Sequence, residues 1–176
     1  MKKILIISSN RLGDCILSSG VIEFYKKKFK EVKIVFVCGI VPSYLFSFFK
    51  NISIVIPLKK KKYSLHWLFL WTKVFFNFWD CVIDLRGTGI SYFLLAKKRL
   101  LYSGHKKEIK KHKVISISKI ITNKILDPFI DISEDHLKTN KNIEFIKKIN
   151  TRSDLIAIAP SANWLGKKWP SQRYSE

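Results

Sequence analysis

Residues 2–25 constrain this chain more than any other stretch. Ile4-Leu5-Ile6-Ile7 is a short apolar run ended by the polar Ser8-Ser9-Asn10, and it reads as a buried strand. Arg11-Leu12-Gly13-Asp14 then leads into Ile16, Leu17, Val21, Ile22, Phe24 and Tyr25, which are apolar at helical spacing. Strand, tight polar turn and helix open a parallel βαβ unit. Such sheets bind ligands in the crevice beyond the carboxyl ends of their strands. Arg11 and Asp14 are therefore expected at the rim of a cleft.

The pattern then repeats. Val32 to Val37 reads as a second strand, followed by a turn at Cys38-Gly39 and a short helix over Ser43 to Phe49. Ile52 to Ile56, closed by Pro57, reads as a third strand. Beyond the lysine loop Lys59 to Lys62 comes the aromatic segment Tyr63 to Trp79, interrupted by Lys73 and Asn77. A membrane span needs about 20 apolar residues, so a transmembrane helix is rejected. An amphipathic helix is expected instead, with Leu68, Trp71, Phe75 and Phe78 as its stripe. That stripe packs on the sheet or, alternatively, lies on a membrane surface.

Cys81 to Leu85 reads as a fourth strand, Arg86-Gly87-Thr88-Gly89 as its turn, Ile90 to Leu95 as a helix and Arg99 to Tyr102 as a fifth strand. Gly87 and Gly89 supply two glycines of a dinucleotide fingerprint, but Tyr92 stands at the third position and the pattern fails. The glycines are assigned to a turn that enters the same cleft. A basic loop over Gly104 to Lys113, helices over Val114 to Ile125 and Asp135 to Ile149, a linker at Asn150 to Asp154 and a fresh strand over Leu155 to Ala159 complete the chain. The fold class is α/β, a Rossmann-like parallel sheet of about five strands with helices on both faces. Residues 1–150 form that domain; residues 151–176 are expected to be a linker and the truncated start of a second.

The 33 Lys and Arg against 13 Asp and Glu give a net charge of +20. That balance points to an anionic partner, or else to lysines that merely coat the surface of a chain rich in Lys, Ile, Asn and Phe. RNA-binding sheets display stacking aromatics or a module signature, and neither is present, so no nucleic acid is expected. Cys15, Cys38 and Cys81 lie far apart in or beside apolar runs, which suits reduced core thiols. His105 and His112 lack the companions of a metal site. Met1-Lys2-Lys3 is followed by only four apolar residues, unlike a secretory leader.

Three segments stand in a telling order: Arg11-Leu12-Gly13-Asp14, then Val82-Ile83-Asp84-Leu85-Arg86-Gly87, then Pro160-Ser161-Ala162 followed by Lys167-Lys168-Trp169-Pro170. Together they resemble glycosyltransferase family 9, the heptosyltransferases that extend the inner core of lipopolysaccharide. The resemblance implies two Rossmann-like domains in the GT-B arrangement, acceptor on the first and ADP-sugar on the second. It implies inverting transfer of a sugar, heptose from ADP-heptose, to a lipopolysaccharide core acceptor. Asp14 takes the family's base position, where a carboxylate accepts the proton of the attacking acceptor hydroxyl. Lys167, with Lys168 in the position of an Arg, offsets charge on the departing diphosphate, so no metal is expected. Ala162 and Asn163 fall where relatives place small hydroxyl residues near the phosphates, and only Asn163 keeps a side-chain donor. Arg11, Gly13 and Gly87 join the substrate-binding set.

The resemblance further implies a lipid-anchored saccharide acceptor, peripheral contact with an anionic membrane surface, a cytoplasmic place at the inner membrane face, and no cofactor besides the ADP-sugar substrate. Relatives continue far beyond the Lys-Arg-Trp-Pro segment, where this chain has six residues. Asp14 as the N-cap of its helix and Trp169-Pro170 as a packing and helix-start signal are the plainer readings of those residues. For the chain as a whole the alternatives are a non-catalytic basic module for anionic lipid or RNA, or a degenerate remnant without activity.

Overall fold

The computed structural model describes residues 1–102, 112–132 and 170–174. Five strands, β1 (Lys2–Ile7), β2 (Val32–Cys38), β3 (Ile54–Pro57), β4 (Trp79–Asp84) and β5 (Ala96–Leu101), form one sheet in the order β3-β2-β1-β4-β5. Every pairing is parallel. β1, β2 and β4 contain the apolar runs read from the sequence, and a strand buried on both faces requires such a run. β3 starts two residues later than expected, and β5, a partly exposed edge strand with three basic residues, starts at Ala96 rather than Arg99. Alternate residues of β1 face opposite cores. Ile4 and Ile6 pack with Ile34, Phe36, Cys81 and Ile83, whereas Leu5 and Ile7 pack with Val35, Val37 and Val82.

The first core is covered by α1 (Leu12–Leu17), α2 (Gly20–Lys28), α3 (Ile40–Phe46) and α5 (Lys113–Ile121), through Cys15, Ile22, Phe46 and Ile117. The second is covered by α4 (Leu65–Val74), through Leu70 and Val74, and by the 3-10 turn Ile90–Phe93. Helices thus lie on both faces, as expected. The chain steps from β1 outward through β2 and β3, then returns to the other side of β1 as β4. That reversal leaves a crevice between the carboxyl ends of β1 and β4, the place where open parallel sheets take ligands.

Several element bounds differ from expectation. The helix expected through Tyr25 is two, because the Ser18 and Ser19 hydroxyls donate back to the Cys15 and Ile16 carbonyls and tighten a turn between them. The helix expected over Ser43 to Phe49 starts at Ile40, directly after Gly39. Past Gly89 there is only a 3-10 turn, and Leu94 is already extended on its way into β5. Helix α5 stops at Ile121; the following chain runs back over the first core, with Phe129 N–H donating to Ser19 Oγ at 2.8 Å and an antiparallel bridge from Ile132 to Phe49.

The apolar stripe of α4 is also corrected. His66, Leu70 and Val74 face the core, whereas Leu68 is 59% exposed and Phe78 lies past the helix, exposed. The helix is apolar on both faces, so spacing alone does not choose the inner one.

The chain divides into two compact units, Met1–His136 and Leu137–Glu176. In the second, the described residues are Pro170 and the 3-10 turn Ser171–Tyr174. The expected boundary after residue 150, the helix over Asp135 to Ile149, the strand over Leu155 to Ala159 and the basic loop from Gly104 to residue 111 lie outside the described residues.

Candidate functional site

The site is built where three strands end. Beyond Ile7 the chain stays between its neighbours: Ser8 N–H donates to Val37 O, Leu85 N–H to Ile7 O and Gly39 N–H to Ser9 O. The Ser8–Asn10 segment therefore leaves the sheet between the exits of β2 and β4. Gly39 is needed for this approach, since a Cβ there would sit 2.8 Å from Asn10 Cα and O.

Asp14 lies in the first turn of α1, partly buried with its side chain 26% exposed. Its Oδ2 accepts from Ser9 Oγ at 3.0 Å and its Oδ1 pairs with Lys113 Nζ at 3.0 Å. The N-cap position belongs to Arg11, which makes no side-chain cap bond, so Asp14 is held by a hydroxyl and an ammonium. Burial pushes its pKa up. The hydrogen bonds from Lys113 and Ser9 and the charges of Lys113 and Arg11 outweigh that, and the net direction is down. Arg11, Leu12 and Gly13 are exposed beside it, and open space surrounds the Gly13 Cα.

Across the crevice the β4 exit is shaped by Asp84. Its buried carboxylate accepts from the Arg86 and Gly87 N–H groups at 3.0 and 2.9 Å, and from the Thr88 N–H and hydroxyl at 2.8 Å each. A carboxylate followed by a turn of N–H groups is a recognised Asx arrangement, and it fixes the turn without help from elsewhere. Gly87 fits because its φ is +67° and because a Cβ would lie 2.8 Å from Tyr102 O. Arg86 joins the two loops, donating from Nη1 to Asn10 Oδ1 at 3.0 Å while its guanidinium sits 5.1 Å from the Trp67 ring centroid.

The structure thus brings Arg11, Gly13 and Asp14 to the β1 exit and Gly87 to the neighbouring β4 exit. Ala162, Asn163, Lys167 and Lys168 lie outside the described residues. Sequence reading missed Lys113, Ser9 and Asn10 as partners of the site. It quoted Asp84 within a motif without seeing its work, although an Asp two residues before an Arg-Gly turn was the available signal. Among the described residues no cluster of His, Cys, Asp and Glu is arranged to hold a metal ion.

No protein-family model matches the sequence, and no curated protein matches it. Solved structures do match by fold. The glycosyl transferase family 9 protein from Veillonella parvula superposes with a TM-score of 0.68 at 17% identity, covering 99% of this chain and 58% of that one. The E. coli ADP-heptose lps heptosyltransferase II gives 0.67 at 17% identity, covering 99% of this chain and 59% of that one. The E. coli heptosyltransferase WaaC, solved with ADP, gives 0.64 at 13% identity, covering 98% and 62%. This chain spans less than two thirds of the length of each. The parallel sheet with helices on both faces, expected from the sequence, is thereby found in the very family that the three motifs resemble: the chain has the fold of glycosyltransferase family 9 structures.

Proposed function

We propose that the chain acts in inverting sugar transfer of the family 9 type, moving a heptose from ADP-heptose to a lipid-anchored saccharide of the lipopolysaccharide core. The observation that carries this reading is Asp14: an ionised carboxylate, reachable by solvent, in the first helical turn beyond the central strand and beside a crevice walled by the Asp84-held turn. In this reading a carboxylate oxygen of Asp14 takes the proton of the acceptor hydroxyl as that oxygen bonds to the anomeric carbon. The bond from that carbon to the diphosphate breaks on the opposite side, and ADP leaves with the electron pair. Lys167 and Lys168 offset its charge, Asn163 donates to a phosphate, and Ala162 leaves room for it. Arg11 offers a cation at the rim, Gly13 lets the acceptor approach the backbone, and Gly87 lets the substrate-facing turn after β4 form. The transfer needs no metal in this account.

The Lys113 ion pair sets a condition. It keeps Asp14 charged, and it also makes the carboxylate a weaker base. An entering acceptor hydroxyl can donate to a lone pair that Lys113 and Ser9 leave open on the carboxylate. The protein is placed at the cytoplasmic face of the inner membrane as a peripheral protein; the +20 charge supports this, and no helix among the described residues is long and apolar enough to cross a membrane.

The test is transfer from ADP-heptose to heptose-deficient lipopolysaccharide. The 176 residues alone are expected to bind nucleotide weakly and to give no repeated turnover, because they span 58–62% of the length of the matched structures and near-attack geometry needs both substrates held. Joined to the remaining portion of a family 9 enzyme, the chain should transfer, and Asp14→Ala should lower turnover by about 10²–10⁴-fold. Full activity of that variant would overturn the role given to Asp14.

A further inference from the structure

The outer face of α4 is apolar and exposed. Leu65, Leu68 and Phe69 are exposed along it, Phe76 just beyond is 88% exposed, and Tyr63 just before it is 93% exposed. Opposite, Phe93 of the 3-10 turn is 72% exposed, with Tyr92 and Leu95 exposed beside it. Between the two runs a groove of about 560 Å³, lined by Trp67, Leu68, Trp71, Phe75, Ile90 and Phe93. Trp71 Nε1 already donates to Phe93 O at 3.0 Å, so its one side-chain donor is spent and its ring offers carbon to the groove.

Apart from Asp80, 3.7 Å from Lys97, the rim of this face is predominantly basic. Lys59 to Lys62 precede it, and the sequence holds no Asp or Glu between Glu31 and Asp80. The cations lie against the aromatic rings: Lys73 and Lys61 are 4.5 and 5.5 Å from the Phe69 centroid, and Lys97 is 5.7 Å from Phe78. Ammonium groups riding on exposed rings, with their stems along apolar surface, are the chemistry of a protein face at a lipid–water boundary. A second copy docked face to face would set lysine against lysine, which disfavours self-association through this patch.

We infer that the outer face of α4 and its groove dock on an anionic lipid leaflet, the aromatic side chains entering the acyl boundary and the lysines meeting headgroup phosphates. This rests on the membrane contact proposed above and names the surface that makes it. Arg86, shared between Trp67 and Asn10, sets that surface beside the candidate site.

The experiment uses the whole chain and no sugar donor, so its failure leaves the transfer reading standing. Vesicles of phosphatidylcholine with phosphatidylglycerol should sediment the protein and those of phosphatidylcholine alone should not. Acyl-brominated lipid should quench tryptophan emission, and Trp67→Phe with Trp71→Phe should remove most of that quenching. The exposed triple variant Tyr63→Ser, Phe76→Ser, Phe93→Ser should weaken binding by about tenfold or more, whereas Val41→Ser with Tyr44→Ser, exposed on α3, should not. Should the triple variant fail to fold, quenching of the unaltered chain decides. Undiminished binding by a folded triple variant, equal binding to neutral vesicles, unquenched Trp67 and Trp71, or a dimer broken by the triple variant without vesicle binding would each overturn the inference.

Discussion

Asp14 and Lys113 are ninety-nine residues apart in sequence and 3.0 Å apart in space. Replacing Lys113 by Met removes a hydrogen bond and a charge that both hold the Asp14 pKa down. The Asp14 carboxyl resonance should then titrate at a higher pH, measurable by NMR. The stability change should stay within about 0–1 kcal/mol, because the pair is partly solvated. Gly13 poses a separate test. It sits in the first turn of α1 with open space around it, so the Ala variant should gain roughly 0.4–1 kcal/mol in thermal unfolding by restricting the unfolded chain. A gain in stability with a loss of acceptor binding would mark Gly13 as a residue kept for access. The three thiols are core residues in the way expected. Burial pushes Cys15 and Cys81 up, and burial with the neighbouring Cys15 pushes Cys38 up to about 12. None should react with a thiol reagent at pH 8 until the protein unfolds.

Among the elements, the Asp84 turn is the most exactly specified, with four donors converging on one buried carboxylate. Asp84→Asn turns one oxygen into a donor facing donors, and should lower stability by about 2–4 kcal/mol in denaturant unfolding. The strands and the β1 exit were legible in sequence because continuous apolar runs between polar turns have few other solutions. The inner face of α4 was not, since Leu68 and Trp71 carry as much hydrophobic signal as Leu70 and Val74. Nor was the short turn after Gly89, where the distance back to β5 leaves no room for a full helix. Lys113 could not be read as a partner of Asp14 because nothing local marks a contact across so much chain.

Across the whole molecule, acid should act in two steps. His66 is buried on the inner face of α4, and its pKa is pushed down by that burial and by the charges of Arg86 and Lys60. A depressed pKa in the folded state means that the stability is complete above the ordinary value of 6.5 and falls as pH drops below it. Asp80 lies near the amino-terminal end of β4, where the Lys3 N–H, the Lys2 ammonium and Lys97 hold its pKa down. Its contribution, like that of Asp14, persists above the ordinary 3.8 and is lost below it. Unfolding midpoints followed from pH 8 to pH 3 should therefore decline first near pH 6.5 and again near pH 3.8. A flat profile through the first interval would show that His66 titrates freely.

The central position of β1 has a consequence for synthesis. It leaves the ribosome before both of its neighbours, and one of its edges pairs early with β2. The other waits for β4, whose Cys81 is the partner of Ile4 in the finished ladder. At about 5–20 residues per second that interval lasts roughly 4–15 s. During it the edge of the apolar run Ile4 to Ile7 stands open, a template for pairing with another nascent chain. The order of the sheet thus leaves the newborn chain in need of protection until β4 is made.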